Sequence, residues 1–406
     1  MIKEAIGKIV LRKDLSGKEM EEVVEEILSK RASPAQIASF LTGLRMKGET
    51  VEEITAAAHM FRKRISKLEG GEGVICLDRE EITIERETIL RTTQPMGSGT
   101  YIFNISTATA FVVAGGGLKV AKTVRRSFSP FCGCADVLEA LGINLDLTRT
   151  QLERSLKEIG IGFIDERLIQ NDWEPILSIR QRIGIRTLFN LLDPILNPSC
   201  AEFQVLGVYE PGITEKMAWV LRNLGIQRGL VIYGEDTLDE MSITGKTKVT
   251  EIRRDEVKSY FIEPEEVGMK RRSLEEIRGG TKQDNAEIIL SILKGRRGAK
   301  REITVLNAAG AFFVSGKARS LQEGIKIAEQ SIDSGAALEK FKTLLEFNQK
   351  ERPYFRDLPL EGGKRFRRDK PFNVWFGDKG LPSPFENRPR TSTHPQPLCN
   401  CHIQGR

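Results

Sequence analysis

The chain has 406 residues, of which 40% are hydrophobic and 29% charged, a composition that fits a globular protein of two or three domains. It holds no run of 18 or more uncharged apolar residues, and its start, MIKEAIGKIVLRKDLSG, has no apolar core followed by a small-residue cleavage site, so neither a membrane span nor a secretory leader is expected and a cytoplasmic location is. The net charge of +6 sits in the last 57 residues, where 12 Lys and Arg face 6 Asp and Glu and leave 50 of each sign elsewhere, and a neutral body argues against a protein built mainly to bind nucleic acid.

Residues 1–68 read as helix throughout. Ser16 with Glu19 three residues on makes a capping-box pattern, followed by apolar positions Met20, Val23, Val24, Ile27 and Leu28 on one helical face. The next segment repeats the device with Ser33 as N-cap, Pro34 at the first helical position and Gly48 as a stop. VEEITAAAHMFRKRISKL supplies a further helix, so a small helical module is expected.

After Gly70 the pattern changes. GVICLD and ITIER read as strands, and from there helix-like segments alternate with short apolar runs ended by glycine, as in a sheet with crossover helices. Residues 171–183 read as helix. A second α/β run follows, from EFQVLGVYE through VKSYFIEP, and then a final helical set ending near residue 349. Beyond Lys350 lie eight of the 16 prolines and seven aromatic residues with no helical or strand period. That tail is expected to be a disordered extension. Its KRFRRDK and PFNVWF stretches also raise single-strand binding as a weaker alternative.

Two residue types limit the chemistry. The three histidines are His59, His394 and His402, so the central region works without histidine as acid, base or ligand. The six cysteines are expected to be free thiols. Two Cys-x-Cys pairs, Cys132 with Cys134 and Cys399 with Cys401, lack the Cys-x2-Cys spacing usual for structural zinc and read better as small buried residues or tail.

TYIFNISTATAFVVAGGGLKVAKTVRRSFSPFCGCADVLEALGINLD, IGIRTLFNLLDPILNPSCAEFQVLGVY and YGEDTLDEMSITGKT, with RASPAQIASFLTGLRMKGETVEEI before them, resemble the anthranilate phosphoribosyltransferase family over about residues 1–345. The resemblance implies an α/β fold of the nucleoside phosphorylase/phosphoribosyltransferase type. A small N-terminal helical domain, residues 1–68 joined by helices near 170–190, would accompany a larger α/β domain, residues 71–345, with a central sheet flanked by helices. Residues 350–406 would stand apart as the basic tail. The resemblance also implies a homodimer through the helical domain. The implied reaction transfers the phosphoribosyl group from phosphoribosyl pyrophosphate (PRPP) to anthranilate in tryptophan biosynthesis, with Mg2+.

The implied site can be followed motif by motif. Glycine turns and helix N-termini suit phosphates, and Mg2+ prefers oxygen ligands. The family's Gly-Thr-Gly-Gly-Asp-Gly turn corresponds to Gln94, Pro95, Met96, Gly97, Ser98 and Gly99; two glycines remain and the aspartate is gone. Asn104, Ile105, Ser106 and Thr107 match intact, which implies a phosphate contact and, for Ser106, a metal contact. The family's Lys-His-Gly-Asn-Arg-Ser-Val-Ser-Ser loop corresponds to residues 122–130: Lys122, Arg126, Ser127 and Ser129 remain, while Thr123, Val124 and Arg125 replace histidine, glycine and asparagine. That asparagine contacts anthranilate in the family, so Arg125 is carried over as an acceptor residue. Cys134 replaces a further serine of the donor loop.

Arg180 matches the arginine that takes the anthranilate carboxylate, a geometry guanidinium suits. Gln170 and Asn171 replace a His-Pro pair. Asp239 and Glu240 match the metal carboxylates, and Asp193 stands where the family has glycine. No side chain is assigned as a general acid or base. The alternative is a catalytically impaired or retasked relative that keeps the fold and binds another ligand, suggested by the clustering of departures in two loops.

Overall fold

The computed structural model describes residues 1–65, 74–79, 102–125, 133–169, 174–199, 201–236, 238–253 and 256–351. The expected ITIER strand and the tail lie outside these residues.

Four helices open the chain: α1 (Ile2–Val10), α2 (Gly17–Leu28), α3 (Pro34–Lys47) and α4 (Val51–Arg64). Local chemistry sets their starts. Ser16, Ser33 and Thr50 each accept from the backbone N–H three residues on, while Glu19, Gln36 and Glu53 reach back to complete capping boxes. α3 stops where Gly48 turns to φ 89°.

Glu53 does more than cap. Fully buried, its carboxylate accepts from Leu15 N at 2.8 Å and Thr50 N at 2.8 Å, and pairs with Lys47 Nζ at 2.9 Å. It thereby ties the loop before α2 to the start of α4. Glu53→Ala leaves the Leu15 and Thr50 N–H donors without their acceptor, while Lys47 keeps Asp14 at 2.7 Å and the Gly48 carbonyl, so a urea titration should read a loss of about 2–4 kcal/mol from the two buried donors. A loss below about 1 kcal/mol, the surface-pair value, would show that solvent replaces the carboxylate.

The rest of the fold is built on one seven-stranded sheet, ordered β3-β2-β1-β4-β5-β6-β7. Its strands are β1 (Val74–Arg79), β2 (Lys119–Val124), β3 (Ile161–Asp165), β4 (Phe203–Gly207), β5 (Arg228–Gly234), β6 (Thr247–Ile252) and β7 (Val257–Ile262). The first five are parallel; β6 and β7 join antiparallel at one edge. The intervening helices are α5 (Ile105–Gly115), α6 (Cys134–Ala140), α7 (Arg149–Arg154), α8 (Glu174–Ile183), α9 (Leu188–Leu192) and α10 (Thr214–Asn223). The last four are α11 (Lys282–Leu293), α12 (Ala299–Val314), α13 (Leu321–Asp333) and α14 (Ala336–Lys350).

Both sheet faces are covered, as parallel strands require. One apolar cluster joins Ile75, Leu77, Val120, Val124, Leu230 and Ile232 to α5, α6 and α11–α14. The other joins Ala121, Ile164, Leu206 and Val231 to α1–α4 and α8–α10. Alternation along β2 therefore assigns Lys122, between Val120 and Val124, to the α5 face. α5, apolar but for Ser106, Thr107 and Thr109, is buried all round and packs on α12 and α14.

Candidate functional site

In an open parallel sheet the crevice lies outside the carboxyl ends of the strands, where the order of strands reverses. Here the chain runs from β1 outward to β2 and β3, then returns to the other side of β1 for β4 and β5. The reversal falls between β1 and β4, and α5 follows β1.

The N-terminus of α5 is held from behind. Ile102 bridges Arg278, and Phe103 N donates to Ile277 O at 3.3 Å. Gly279 packs under this segment so closely that a Cβ there would lie 2.8 Å from Phe103 Cα. Asn104 is the N-cap yet makes no side-chain hydrogen bond to the helix. Thr107 Oγ1 is buried with no hydrogen-bond partner among the described residues. Helix N–H groups and dipole make such a terminus receptive to an anion.

Lys122 is 1% exposed, and its ammonium donates to Thr123 O at 3.5 Å, the outer limit of a hydrogen bond. Burying a cation with so little compensation among the described residues is costly, so its position suits an anion.

Asp239 and Glu240 occupy the connection from β5 to β6. Gly234 N donates to Leu238 O at 2.7 Å, closing the turn. The Asp236 carboxylate accepts from the hydroxyls of Ser242 and Thr244. Asn307 of α12 clamps the next residue twice: its Oδ1 accepts from Met241 N at 3.0 Å, and its Nδ2 donates to Met241 O at 2.9 Å. Glu240 is buried by this arrangement and Asp239 half-buried. Gly207, ending β4, lets the turn lie directly on the sheet, since a Cβ there would fall 1.8 Å from Asp239 O. The donor set is hard carboxylate oxygen, which fits Mg2+ and not a soft metal.

On the far side, Arg125 follows β2 and Glu166 follows β3, brought level by the Val124 to Asp165 register. Arg125 Nε lies 2.5 Å from Glu166 Oε2, and its Nη2 lies 2.9 Å from Asp193 Oδ2. Arg180 of α8 forks onto the same carboxylate, Nη2 to Oδ2 at 2.8 Å and Nη1 to Oδ1 at 3.4 Å, with its guanidinium 5.1 Å from the Phe189 ring centroid. Burial alone would raise the Asp193 carboxyl, but the Arg180 and Arg125 guanidinia hold it below the usual carboxylate range. Burial pushes Glu166 up despite Arg125. Arg125 is itself raised: its two carboxylates outweigh desolvation.

The expected site residues thus divide. Asn104, Ile105, Ser106 and Thr107 lie at the N-terminus of α5, Lys122 within β2, Arg125 just after it, Arg180 on α8, and Asp239 and Glu240 in the connection from β5 to β6. Gly97, Ser98, Gly99, Arg126, Ser127 and Ser129 lie outside the described residues. Glu166, Asn307 and Gly207 were not singled out from sequence. A glycine ending a strand was the one available signal for Gly207; nothing local marks the other two. Cys76 and Cys134 are both buried, which for Cys134 is the position expected of a small core residue. No group of three His, Cys, Asp or Glu among the described residues could hold a metal, and no described helix is long and apolar enough to cross a membrane.

Comparison with known proteins adds the following. Residues 95–338 match the glycosyl transferase family a/b domain, and residues 3–65 match that family's helical bundle domain. The chain is 49% identical over 345 residues to the anthranilate phosphoribosyltransferase of Geobacter sp. (strain M21), spanning 85% of this chain and 98% of that protein. It is similar to the crystal structure of anthranilate phosphoribosyltransferase from Thermus thermophilus, with TM-score 0.76 and 33% identity over 85% of this chain and 99% of that one. The Saccharomyces cerevisiae enzyme in complex with PRPP and Mg shares the fold at 22% identity, TM-score 0.73, over 86% of this chain and 98% of that one.

Proposed function

We propose, for a chain that belongs to the anthranilate phosphoribosyltransferase family, that it transfers the phosphoribosyl group of PRPP to anthranilate. The products are N-(5-phosphoribosyl)anthranilate, an intermediate of tryptophan biosynthesis, and pyrophosphate. The observation that carries this reading is the N-terminus of α5, the helix that follows β1, where the N-cap Asn104 gives no side-chain hydrogen bond to the helix and Thr107 Oγ1 is unpartnered among the described residues.

In this reaction the acceptor amine bonds to the anomeric carbon as the bond to pyrophosphate breaks, and the amine loses a proton. The transition state carries positive charge on the sugar, so positioning and charge stabilisation matter more than a strong base. We assign the phosphate contacts to Asn104, Ile105, Ser106 and Thr107 at the helix terminus and to the Lys122 ammonium. Gly97, Ser98, Gly99, Arg126, Ser127 and Ser129 complete the proposed donor site. Asp239, Glu240 and the Ser106 hydroxyl would hold Mg2+, which neutralises pyrophosphate charge when bound. Arg180 and Arg125 form the proposed acceptor side. No described side chain is assigned as the base.

The division into residues 1–68, 71–345 and 350–406 is part of the proposal, as is a cytoplasmic location. So is a homodimer through the helical module, which is supported by Val10, Leu11 and Met46 standing exposed on α1, the residue after it, and α3.

The test is loss of anthranilate fluorescence. It should require PRPP and Mg2+ together, and Glu240→Gln should raise the Mg2+ needed for half-maximal rate about 10- to 100-fold. No loss above background at millimolar substrates and Mg2+ would instead favour a relative that keeps the fold without the reaction.

A further inference from the structure

Four charged side chains from four separate elements close on one another at the acceptor side. Arg125 and Glu166 come from the ends of adjacent strands, Arg180 from α8, and Asp193 from the end of α9. Asp193 Oδ2 receives both guanidinia, at 2.9 Å from Arg125 and 2.8 Å from Arg180, and Oδ1 completes the Arg180 fork at 3.4 Å. Glu166 takes the remaining side of Arg125. Two positive and two negative charges cancel. The Asp193 side chain is 8% exposed and that of Arg180 13%, so this is a largely buried, charge-balanced group.

The geometry has a consequence for the acceptor. A planar carboxylate binds guanidinium through paired, charge-assisted hydrogen bonds. In Arg180 the Nη1–Nη2 pair is already engaged, in that same two-point manner, by a carboxylate the chain carries itself. An incoming carboxylate has two courses. It can displace Asp193 from Arg180, which leaves that buried carboxylate to Arg125 alone beside Glu166, or it can take the donors that Asp193 leaves over, on a guanidinium whose charge Asp193 already balances. Either course reduces the advantage that a carboxylated ligand gains from the arginine. A neutral arylamine suffers neither penalty.

We propose that Asp193 is an acceptor-specificity residue whose carboxylate fills the Arg180 fork, so that this chain does not prefer carboxylate-bearing arylamines over neutral ones. The inference rests on the reading that Arg180 belongs to the acceptor side. Arg125 serves the same device, because it supplies the second cation that keeps Asp193 ionised and fixed between two donors.

The experiment measures equilibrium binding to the full chain, by ligand fluorescence, of anthranilate and of 2-aminobenzamide, its neutral near-isostere. In the unaltered chain the two dissociation constants should lie within about 3-fold, less than one charge-assisted hydrogen bond provides. Arg125→Asn with Asp193→Gly removes one charge of each sign. It should tighten anthranilate about 10- to 100-fold, the value of a freed charge-assisted fork, and leave 2-aminobenzamide nearly unchanged. Asp193→Asn, which keeps the shape, should move anthranilate in the same direction and serves if the double variant fails to fold.

Anthranilate favoured 10-fold or more by the unaltered chain would overturn the proposal, as would a preference that neither change at Asp193 moves. Arg180→Met separates the two levels. If it weakens anthranilate while Asp193 variants do nothing, only the role of Asp193 falls. If it too does nothing, the acceptor side has been misassigned and both readings fall.

Discussion

Lys122→Met should keep the fold, hold or raise Tm, and lower kcat/KM for PRPP by about 10²- to 10³-fold, the usual effect of deleting one preorganised charge from a reacting site. The two effects run in opposite directions for one reason. The ammonium is almost wholly buried, and among the described residues its one hydrogen bond, to the Thr123 carbonyl, is long, at 3.5 Å. Replacing an ill-compensated buried charge with an apolar chain of similar length is often neutral or stabilising by about 1–4 kcal/mol. Neighbours on its face of β2, Val120 and Val124, would accept the thioether readily. Thermal melts alongside steady-state kinetics make the check. A large fall in Tm with the loss of activity would mean that Lys122 is structural.

Gly207→Ala should lower kcat/KM about 10²-fold, the penalty for displacing a reacting group by about 1 Å. The added methyl would sit 1.8 Å from Asp239 O and 3.0 Å from its Cβ, so either the Asp239–Glu240 turn or the end of β4 must move. The turn is the softer of the two, because β4 is paired on both sides with β1 and β5. Yet Asn307 grips Met241 from α12, so the shift also strains a buried contact. Overpacking of this kind costs about 1–3 kcal/mol, and Tm should fall accordingly. The diagnostic reading is Mg2+: raising its concentration should recover part of the lost rate, since the carboxylates are displaced and still present. A rate insensitive to Mg2+ and a wild-type Tm together would rule out this role for Gly207.

Much of the molecule was legible in the residues because the information was local. Ser16, Ser33 and Thr50 cap their helices through partners three positions away, and Gly48 ends α3 by its own backbone freedom. The alternation of glycine-ended apolar runs with helical segments pointed to a sheet with crossover helices, whereas Asp239 and Glu240 were marked only by the resemblance to the family.

Other features had no local signature. Arg180 and Asp193 are 13 residues apart, Arg125 and Asp193 are 68 apart, and Asn307 reaches Met241 across 66. Such pairs exist only once β2 and β3 lie in register and α8, α9 and α12 pack on the sheet. The sequence by itself determined the helix boundaries, the α/β class and the residue types at the site, since these depend on neighbours within a few positions. The tertiary structure alone decided that the Arg180 guanidinium is closed by the chain's own carboxylate, Asp193. Coulomb pairing and desolvation act through space, and the spacing of residues along the chain does not encode them.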